Sequence, residues 1–298
     1  MHGPRAAGGT EGMGSRLRTG VSRRRPGAWG RSVGIVLLAL LVAPLTADGA
    51  TTEVRRRTDV VYAQSQDGPL HLDLYRLRDK RRAPVVLLIH GGSWRSGSKA
   101  DWEDIAPRFA RAGFLVIVPD YSLSAPGGNA VFPQHLEDLE RALLWARERA
   151  EDFGGRPRRI GMVGASAGGH LTLLQASSGT LRPDAIALYS APADLVGLFD
   201  RGIGRDAIEG FLGCSPDVCP DTFEAASGIA RADGEMPPVM LAYSKQEILP
   251  LSHSRALARR LRDLKIKTVI HELPGHLHGL AVGKTMIEET IMFMERSL

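Results

Sequence analysis

One serine, set between small residues, constrains the fold of this chain more than any other feature. Ser166 is the centre of Gly-Ala-Ser-Ala-Gly (residues 164–168), which directly follows the short apolar run 160–163. A buried strand that runs into small-x-Ser-x-small is typical of a nucleophile elbow, where the serine tops a sharp turn from strand to helix. A side chain at either flanking glycine would clash in so tight a turn. The motif also occurs by chance, so its interpretation depends on the other motifs.

An upstream motif fits the needs of acyl transfer to a serine. Residues 84–89 have the pattern of a buried strand and are followed by His-Gly-Gly-Ser-Trp at 90–94. Acyl transfer builds negative charge on a carbonyl oxygen, and backbone N–H groups aimed at that oxygen stabilise it. We therefore expect the amides of Gly91, Gly92 and Ala167 to form an oxyanion hole. The alternative is a glycine-rich turn with no such role.

Two downstream strands are followed by a candidate acid and a candidate base. Glu247 comes after the apolar run 238–243, and His278 comes after the run 268–272. The order serine, acid, histidine is typical of one hydrolase fold, and open parallel sheets place active sites at the carboxyl ends of their strands. His278 is expected to take the proton of Ser166, while Glu247 orients the imidazole.

Alternatives exist for both of these residues. Asp194 follows the preceding strand, near 185–189, and is the alternative acid because some hydrolases place the acid there. His276 competes with His278 as the base, although Gly279 directly after His278 favours the latter. We expect His170 and His90 to be packed or hydrogen-bonded within the fold.

Five motifs together resemble a known family. They are residues 90–99, 120–121, 132–138, 164–171 and 274–279. They are similar to α/β-hydrolase esterases, in particular to bifunctional deacetylase/feruloyl-esterase-like and hormone-sensitive-lipase-like carboxylesterases, over roughly residue 59 to the C-terminus. The resemblance implies hydrolysis of carboxylic esters through an acyl-enzyme on Ser166. It also implies that the substrates are short-chain or acetyl esters, either small molecules or esters linked to a polysaccharide. No metal and no organic cofactor is implied.

The chain departs from the family pattern at two places. The acid loop of the family often reads His-Gly-x-x-Asp, whereas residues 243–247 here read Tyr-Ser-Lys-Gln-Glu. Ser93 occupies the third glycine position of the oxyanion motif. The resemblance leaves open an amidase or formamidase on the same scaffold, and a ligand-binding homologue without catalysis.

The order of apolar and amphipathic segments predicts an α/β-hydrolase fold over residues 51–298. Strands and helices alternate, which argues for a mostly parallel sheet covered on both faces. Asp67-Gly68 marks a hairpin turn between two leading strands. Residues 194–236, rich in Gly, Pro and Asp, interrupt the alternation and are expected to form a small cap-like excursion. Strands are predicted near 85–89, 114–118, 160–163, 185–189, 239–243 and 268–272, and helices near 102–112, 134–153, 167–177, 252–264 and 280–297.

The charge of the chain is concentrated in its first fifty residues. The whole sequence carries a formal net charge of +5, and residues 1–50 hold seven arginines against Glu11 and Asp48, which is also +5. The remaining residues are therefore neutral in sum. A nucleic-acid partner normally requires a strong basic excess, so none is expected.

Residues 1–50 have the layout of a secretory leader. The arginines precede the apolar run 33–43, and the small residues Ala47, Gly49 and Ala50 follow it. The run is short for a membrane span, so we expect export to the periplasm, envelope or medium without a stable span after cleavage. An uncleaved membrane anchor is the alternative, and residues 22–25 (Ser-Arg-Arg-Arg) admit a twin-arginine route.

The chain contains two cysteines, Cys214 and Cys219. In an exported protein this spacing favours a small disulfide loop, and two ligands do not close a zinc site. We therefore predict a bridge between Cys214 and Cys219. The oligomeric state is left open by the sequence.

Overall fold

The strands of the protein form one eight-stranded sheet in a computed structural model, which describes residues 53–124 and 130–298. The order across the sheet is β1-β2-β4-β3-β5-β6-β7-β8. β1 and β2 pair antiparallel, β2 and β4 pair antiparallel, and every other neighbouring pair is parallel. The strands are β1 Val54–Ser65, β2 Gly68–Leu77, β3 Ala83–Ile89, β4 Leu115–Pro119, β5 Gly155–Ala165, β6 Ala185–Tyr189, β7 Val239–Ser244 and β8 Thr268–Leu273.

Both faces of the sheet are covered, as the continuous apolar runs require. In β3, Val85 and Leu87 pack into the core on one face, while Val86 and Leu88 pack into the core on the other. The helices are α1 Ala106–Arg111, α2 Gln134–Arg149, α3 Ala167–Ser178, α4 Leu195–Asp200, α5 Arg205–Leu212, α6 Pro220–Ala225, α7 Gly228–Arg231, α8 Leu251–Asp263, α9 Leu280–Thr285 and α10 Ile287–Ser297. This architecture confirms the predicted α/β-hydrolase fold.

Two predicted helices are interrupted in the structure, and a third, expected near 134–153, ends as α2 at Arg149 before a 3-10 turn at Ala150–Phe153. The helix expected near 102–112 is a 3-10 turn at Lys99–Trp102 followed by the short α1. The helix expected near 280–297 is divided at Met286 into α9 and α10. Both breaks preserve burial, because Trp102 is fully buried and Met286 contributes to the same core.

The segment from Asp194 to Met236 contains four short helices, α4 to α7, rather than a structureless loop. The predicted disulfide joins Cys214 and Cys219 between α5 and α6, with their Cα atoms 6.3 Å apart. Within the described ranges, no helix is long and apolar enough to cross a membrane. The proposed leader, residues 1–50, lies outside the described residues.

The parallel part of the sheet brings the three triad candidates to one edge. β5 ends directly before Ser166, while β7 and β8 end before the loops that carry Glu247 and His278. These strands follow one another as β5-β6-β7-β8, so their carboxyl ends point the same way. Neighbouring strands lie about 5 Å apart, so the strand order brings Ser166, Glu247 and His278 close together although they are far apart in sequence.

Candidate active site

Ser166 adopts the strained backbone of a nucleophile elbow. Its φ is 53° and its ψ is −120°, a combination that non-glycine residues rarely adopt. Its amide donates to the carbonyl of Tyr189 at 2.8 Å, and its carbonyl accepts from the backbone amide of His170 at 2.9 Å. Gly168 is required by close packing, because a Cβ there would lie 2.3 Å from the carbonyl oxygen of Ile89. These contacts fix the serine at the head of α3.

A continuous chain of hydrogen bonds joins the serine, the histidine and the glutamate. His278 Nε2 lies 2.9 Å from Ser166 Oγ, and His278 Nδ1 lies 2.5 Å from Glu247 Oε2. The second oxygen, Glu247 Oε1, accepts from the amide of Ser244 at 3.1 Å. The Glu247 side chain is fully buried, whereas that of His278 is one-third exposed. The imidazole of His278 is therefore fixed by the buried Glu247 and remains partly exposed to solvent.

The loops that carry the acid and the base are bound to each other. The amide of Lys245 donates to the carbonyl of Leu273, and the amide of Gln246 donates to that of Gly275. His276 Nδ1 lies 2.8 Å from the carbonyl oxygen of Gln246. His276 thus braces the two loops and does not approach Ser166. His276, the alternative base, therefore connects two loops and makes no contact with the serine.

The alternative acid also has a different role in the structure. Asp194 is the N-cap of α4, and its side chain accepts from the amide of Gly197 at 2.9 Å. Side-chain oxygens of aspartate commonly satisfy the free amides of a first helical turn in this way. Of the two acids considered, only Glu247 contacts His278.

The glycines after β3 lie against the nucleophile. A Cβ built on Gly91 would lie 3.3 Å from the Cβ of Ser166, so the loop passes directly beside the serine. The amides of Gly91, Gly92 and Ala167 donate to no acceptor in the described part of the chain. Gly91, Gly92 and Ser166 line a shared cleft of about 470 Å³. This arrangement leaves unpaired N–H groups next to Ser166.

A second, smaller cavity of about 100 Å³ opens on the other side of Ser166. Its walls are mostly apolar and come from three parts of the chain. These are the loop after β3 (residues 90–99, called the oxyanion loop because it carries two candidate amides), residues 194–236 and the loop after β7 that carries Glu247. The lining residues include Trp94, Leu198, Ile203, Ala207, Ile208 and Leu249. The helices α4 and α5 therefore line a cavity beside Ser166, in addition to covering the sheet.

Buried histidines organise the surroundings of the site. His170 Nδ1 accepts from the indole N–H of Trp94, and its Nε2 lies 2.7 Å from the carbonyl oxygen of Ala226. Burial lowers the pKa of His170 to about 4, and burial likewise lowers the pKa of His135 to about 4. His90 stacks on Tyr121 with ring centroids 4.2 Å apart. His170 and His90 are packed and hydrogen-bonded within the fold, as expected, and His135 is a further buried histidine.

A partly buried ion cluster holds Lys99 at the far end of the oxyanion loop, and sequence reasoning missed it. Lys99 Nζ lies 3.0 Å from Asp59 and 3.4 Å from the buried carboxylate of Asp73. The Lys99 amide also donates to Asp120 at 2.7 Å. Asp59 and Asp73 come from β1 and β2, which are remote in sequence from the motif, so no local pattern could have revealed the contact. In the described ranges no group of three or more His, Cys, Asp or Glu is placed to hold a metal ion.

Comparisons with known proteins show the family of the chain. A family model described as BD-FAE matches residues 72–261. The chain is 32% identical over 235 residues to the esterase LipQ of Mycobacterium tuberculosis, and 29% identical over 237 residues to the esterase LipC of the same organism. These alignments cover 72% and 70% of this chain, and 55% and 56% of the relatives. The chain thus spans about half the length of the curated relatives it matches.

A solved structure shares the fold. Esterase 2 of Thermogutta terrifontis superimposes with a TM-score of 0.69 at 20% identity, covering 81% of this chain and 94% of that one. At this identity the likeness concerns the fold alone.

Proposed function

This chain belongs to the BD-FAE family, and we propose that it is a carboxylic-ester hydrolase that works through an acyl-enzyme on Ser166. The observation that carries the proposal is the continuous hydrogen-bond chain from Ser166 through His278 to Glu247. It lies beside the free amides of Gly91, Gly92 and Ala167. Relatives named as esterases support the same reaction class.

In the proposed acylation, Ser166 Oγ attacks the ester carbonyl carbon while His278 Nε2 takes the hydroxyl proton. The carbonyl oxygen becomes an oxyanion, which the three free amides stabilise. The tetrahedral intermediate collapses, the bond to the alkoxy oxygen breaks, and His278 returns its proton to that oxygen. An alcohol leaves, and the acyl group remains on Ser166. Water then attacks the acyl carbon while His278 takes its proton. The bond to Ser166 Oγ breaks, His278 returns the proton to Oγ, and the carboxylic acid leaves.

Glu247 determines which nitrogen of His278 carries the proton at rest. Both oxygens of the buried Glu247 carboxylate accept hydrogen bonds, one of them from His278 Nδ1. An ionised carboxylate accepts and does not donate, so Nδ1 bears the hydrogen and Nε2 presents its lone pair to Ser166. The same carboxylate stabilises the imidazolium that forms during the reaction.

We propose short-chain acyl groups as substrates because of the cavity beside Ser166. A volume of about 100 Å³ holds only a few atoms, and its walls are apolar. The larger cleft beside Ser166, which has a mixed polar and apolar lining, would take the alcohol part, small or polysaccharide-linked. The Thermogutta esterase has been solved with propionate and with butyrate bound, which are short acids of this kind.

We also propose that the protein is exported. The leader-like pattern of residues 1–50 supports this, as does the disulfide between Cys214 and Cys219. Disulfides persist in oxidising compartments and are rare in the cytosol.

A fluorophosphonate probe followed by an ester panel tests the proposal. The probe should label Ser166 through displacement of fluoride from phosphorus, and Ser166→Ala should abolish labelling. The Thermogutta esterase is phosphonylated by sarin, a reagent that also loses fluoride from phosphorus. On p-nitrophenyl esters, turnover should be greatest for acetate to butyrate and fall for longer chains. Absence of labelling in folded protein would contradict the enzyme assignment, and faster turnover of N-formyl amides would favour a formamidase.

A further inference from the structure

A dense group of arginines covers the end of the sheet opposite to Ser166. Two adjacent clefts there are lined by eight arginines and by only two acidic residues, Glu151 and Asp152. The arginines of this basic surface are Arg55, Arg56, Arg57, Arg76, Arg82, Arg156, Arg158 and Arg159. Lys80 and Arg81, both exposed, extend it along the loop between β2 and β3.

The two clefts are neighbours. Phe153 lines one and Gly155 lines the other, and the carbonyl of Gly154 between them accepts from the amide of Ala83 at 2.9 Å. A Cβ built on Gly154 would lie 3.3 Å from Arg76 Nη1 and 3.1 Å from the carbonyl oxygen of Lys80. The loops before β3 and β5 are therefore in direct contact, and their arginines share one face.

Most of this positive charge is not neutralised within the described part of the chain. Arg56 is paired with Asp73 and Glu103, and Arg159 donates to the carbonyl of Leu298. Asp152 is already paired with Arg149. The other six arginines of the basic surface make no ion pair with a described acid: Arg55, Arg57, Arg76, Arg82, Arg156 and Arg158. The neutral sum of residues 51–298 thus hides a strongly asymmetric distribution.

The described chain begins at this same surface. Val54, the first residue of β1, pairs with Leu77 at the end of β2, and Arg78 bonds to Glu53. In sequence, the apolar run 33–43 lies only about ten residues before Glu53. The basic surface is therefore close in sequence to a segment that favours membranes.

We infer that the basic surface binds the anionic phospholipid face of a membrane. Arginine forks match phosphate oxygens in pairs, and clustered arginines next to a lipid-seeking segment are attracted to anionic headgroups. β5 runs from the basic surface to Ser166, and ten residues of strand span roughly 33 Å. The active site would therefore face away from the bilayer and receive its ester from solution.

A nucleic acid fits this surface less well. Its aromatic ring, Phe153, is partly buried and covered by the guanidinium of Arg57, 5.5 Å from the ring centroid, so it offers no free face for base stacking. Binding to nucleic acid is nevertheless a measurable outcome.

Vesicle co-sedimentation of the full chain tests the inference. Vesicles of phosphatidylcholine alone are compared with vesicles that also contain phosphatidylglycerol, for the wild type and for Arg156→Glu/Arg158→Glu. Each basic residue near an anionic surface contributes about fivefold to binding, so the double variant should bind the anionic vesicles at least ~25-fold more weakly. Binding to neutral vesicles should not change. Added salt should weaken the anionic-specific part in the wild type.

Arg231→Glu/Arg259→Glu is the matched control, because both arginines are exposed and lie in α7 and α8, outside the basic surface. It should bind anionic vesicles within about threefold of wild type. Wild-type hydrolysis of a soluble ester by the Arg156→Glu/Arg158→Glu variant would show that it is folded. The binding readout does not depend on hydrolysis, so failure of this inference is distinguishable from failure of the proposed esterase function.

A second readout separates the basic surface from the leader, whose own arginines and apolar run also favour membranes. A fluorophore on Arg158→Cys should be quenched by brominated lipids, whereas one on Ile248→Cys, at the active-site cleft, should not. Equal quenching at both positions, or unchanged anionic binding by Arg156→Glu/Arg158→Glu, would overturn the inference. Loss of DNA binding in that variant without loss of vesicle binding would assign the surface to nucleic acid instead.

Discussion

The indole N–H of Trp94 donates a hydrogen bond of 3.1 Å to Nδ1 of His170 in the fully buried interior. Trp94 belongs to the oxyanion loop, whereas His170 lies on α3 behind Ser166. The other imidazole nitrogen bonds to the carbonyl of Ala226, in the segment that carries α4 to α7. Because an N–H faces one nitrogen and a carbonyl faces the other, the neutral Nε2–H tautomer is fixed. The imidazole of His170 therefore connects α3, the oxyanion loop and the segment that carries α4 to α7.

Removal of the indole N–H should loosen this junction. In Trp94→Phe, Nδ1 of His170 loses its donor, and an unsatisfied buried acceptor costs about 1–3 kcal/mol of unfolding free energy. Because the oxyanion loop is then less well held, kcat should fall by about tenfold with a smaller change in KM. Denaturant unfolding and ester kinetics measure both effects. Trp145→Phe, which stacks on Phe153 away from the site, is the control and should leave kcat unchanged.

Acid should destabilise the protein below neutral pH. Burial lowers the pKa of His135 and His170 to about 4 and also lowers that of His253. The unfolded imidazoles titrate near 6.5, so the unfolded state binds more protons between pH ~4 and ~6.5. The unfolding free energy should be greatest above pH ~6.5 and fall as the pH decreases. At pH 5 the loss should be about 2 kcal/mol for each of His135 and His170. Unfolding midpoints at pH 7 and pH 5 that coincide would contradict this.

Substitution of the two acids should separate catalysis from capping. Glu247→Gln offers His278 an amide in place of a carboxylate, which favours the wrong tautomer and should lower kcat by on the order of a thousandfold. Asp194→Asn keeps a side-chain oxygen for the amide of Gly197, so both kcat and stability should change little. Steady-state kinetics on a short ester compare them. A greater loss of kcat in Asp194→Asn would reverse the assignment of the acid.

Ser166 and His278 should behave as one unit. Ser166→Ala and His278→Ala should each remove nearly all acyl transfer, and the double variant should be no worse than either, because each residue acts only through the other. The 2.9 Å contact between Nε2 and Oγ is the physical basis of this coupling. Single-turnover rates and circular dichroism are measured for all three variants. Losses that multiply in the double variant would argue against a shared proton transfer.

The size of the apolar cavity should set the acyl chain length. Ile208 is buried on α5 and lines the cavity, so Ile208→Ala should extend it. The ratio of hexanoate to acetate turnover should rise by about tenfold, because each accommodated CH₂ contributes roughly 0.8 kcal/mol. Ile287→Ala truncates an equally buried isoleucine on α10, away from the cavity, and controls for lost stability. The ratio should not change in that variant.

Local sequence patterns identified the elbow, the strands and the first hairpin, because these depend on neighbouring residues alone. The turn of that hairpin lies one residue before the predicted Asp67-Gly68, at Gln66-Asp67, because Gly68 already pairs with Ser65 as the first residue of β2. The bounds of β6 are those predicted, 185–189. The same patterns missed the helices between Asp194 and Met236, where turns rich in Gly, Pro and Asp obscure the short helical periods. They also left Asp194 and Glu247 both open as the acid, since each follows a strand.

The sequence by itself determined the order of the elements, the α/β-hydrolase fold and the candidate residues Ser166, Glu247 and His278, because burial periodicity and turn chemistry are local. The tertiary structure alone decided that Glu247 and not Asp194 meets His278, and that His170 contacts Trp94. It also decided that arginines from β1, β2 and β5 share one surface. These contacts join residues from different strands and loops, and only strand order and register set the distances between them.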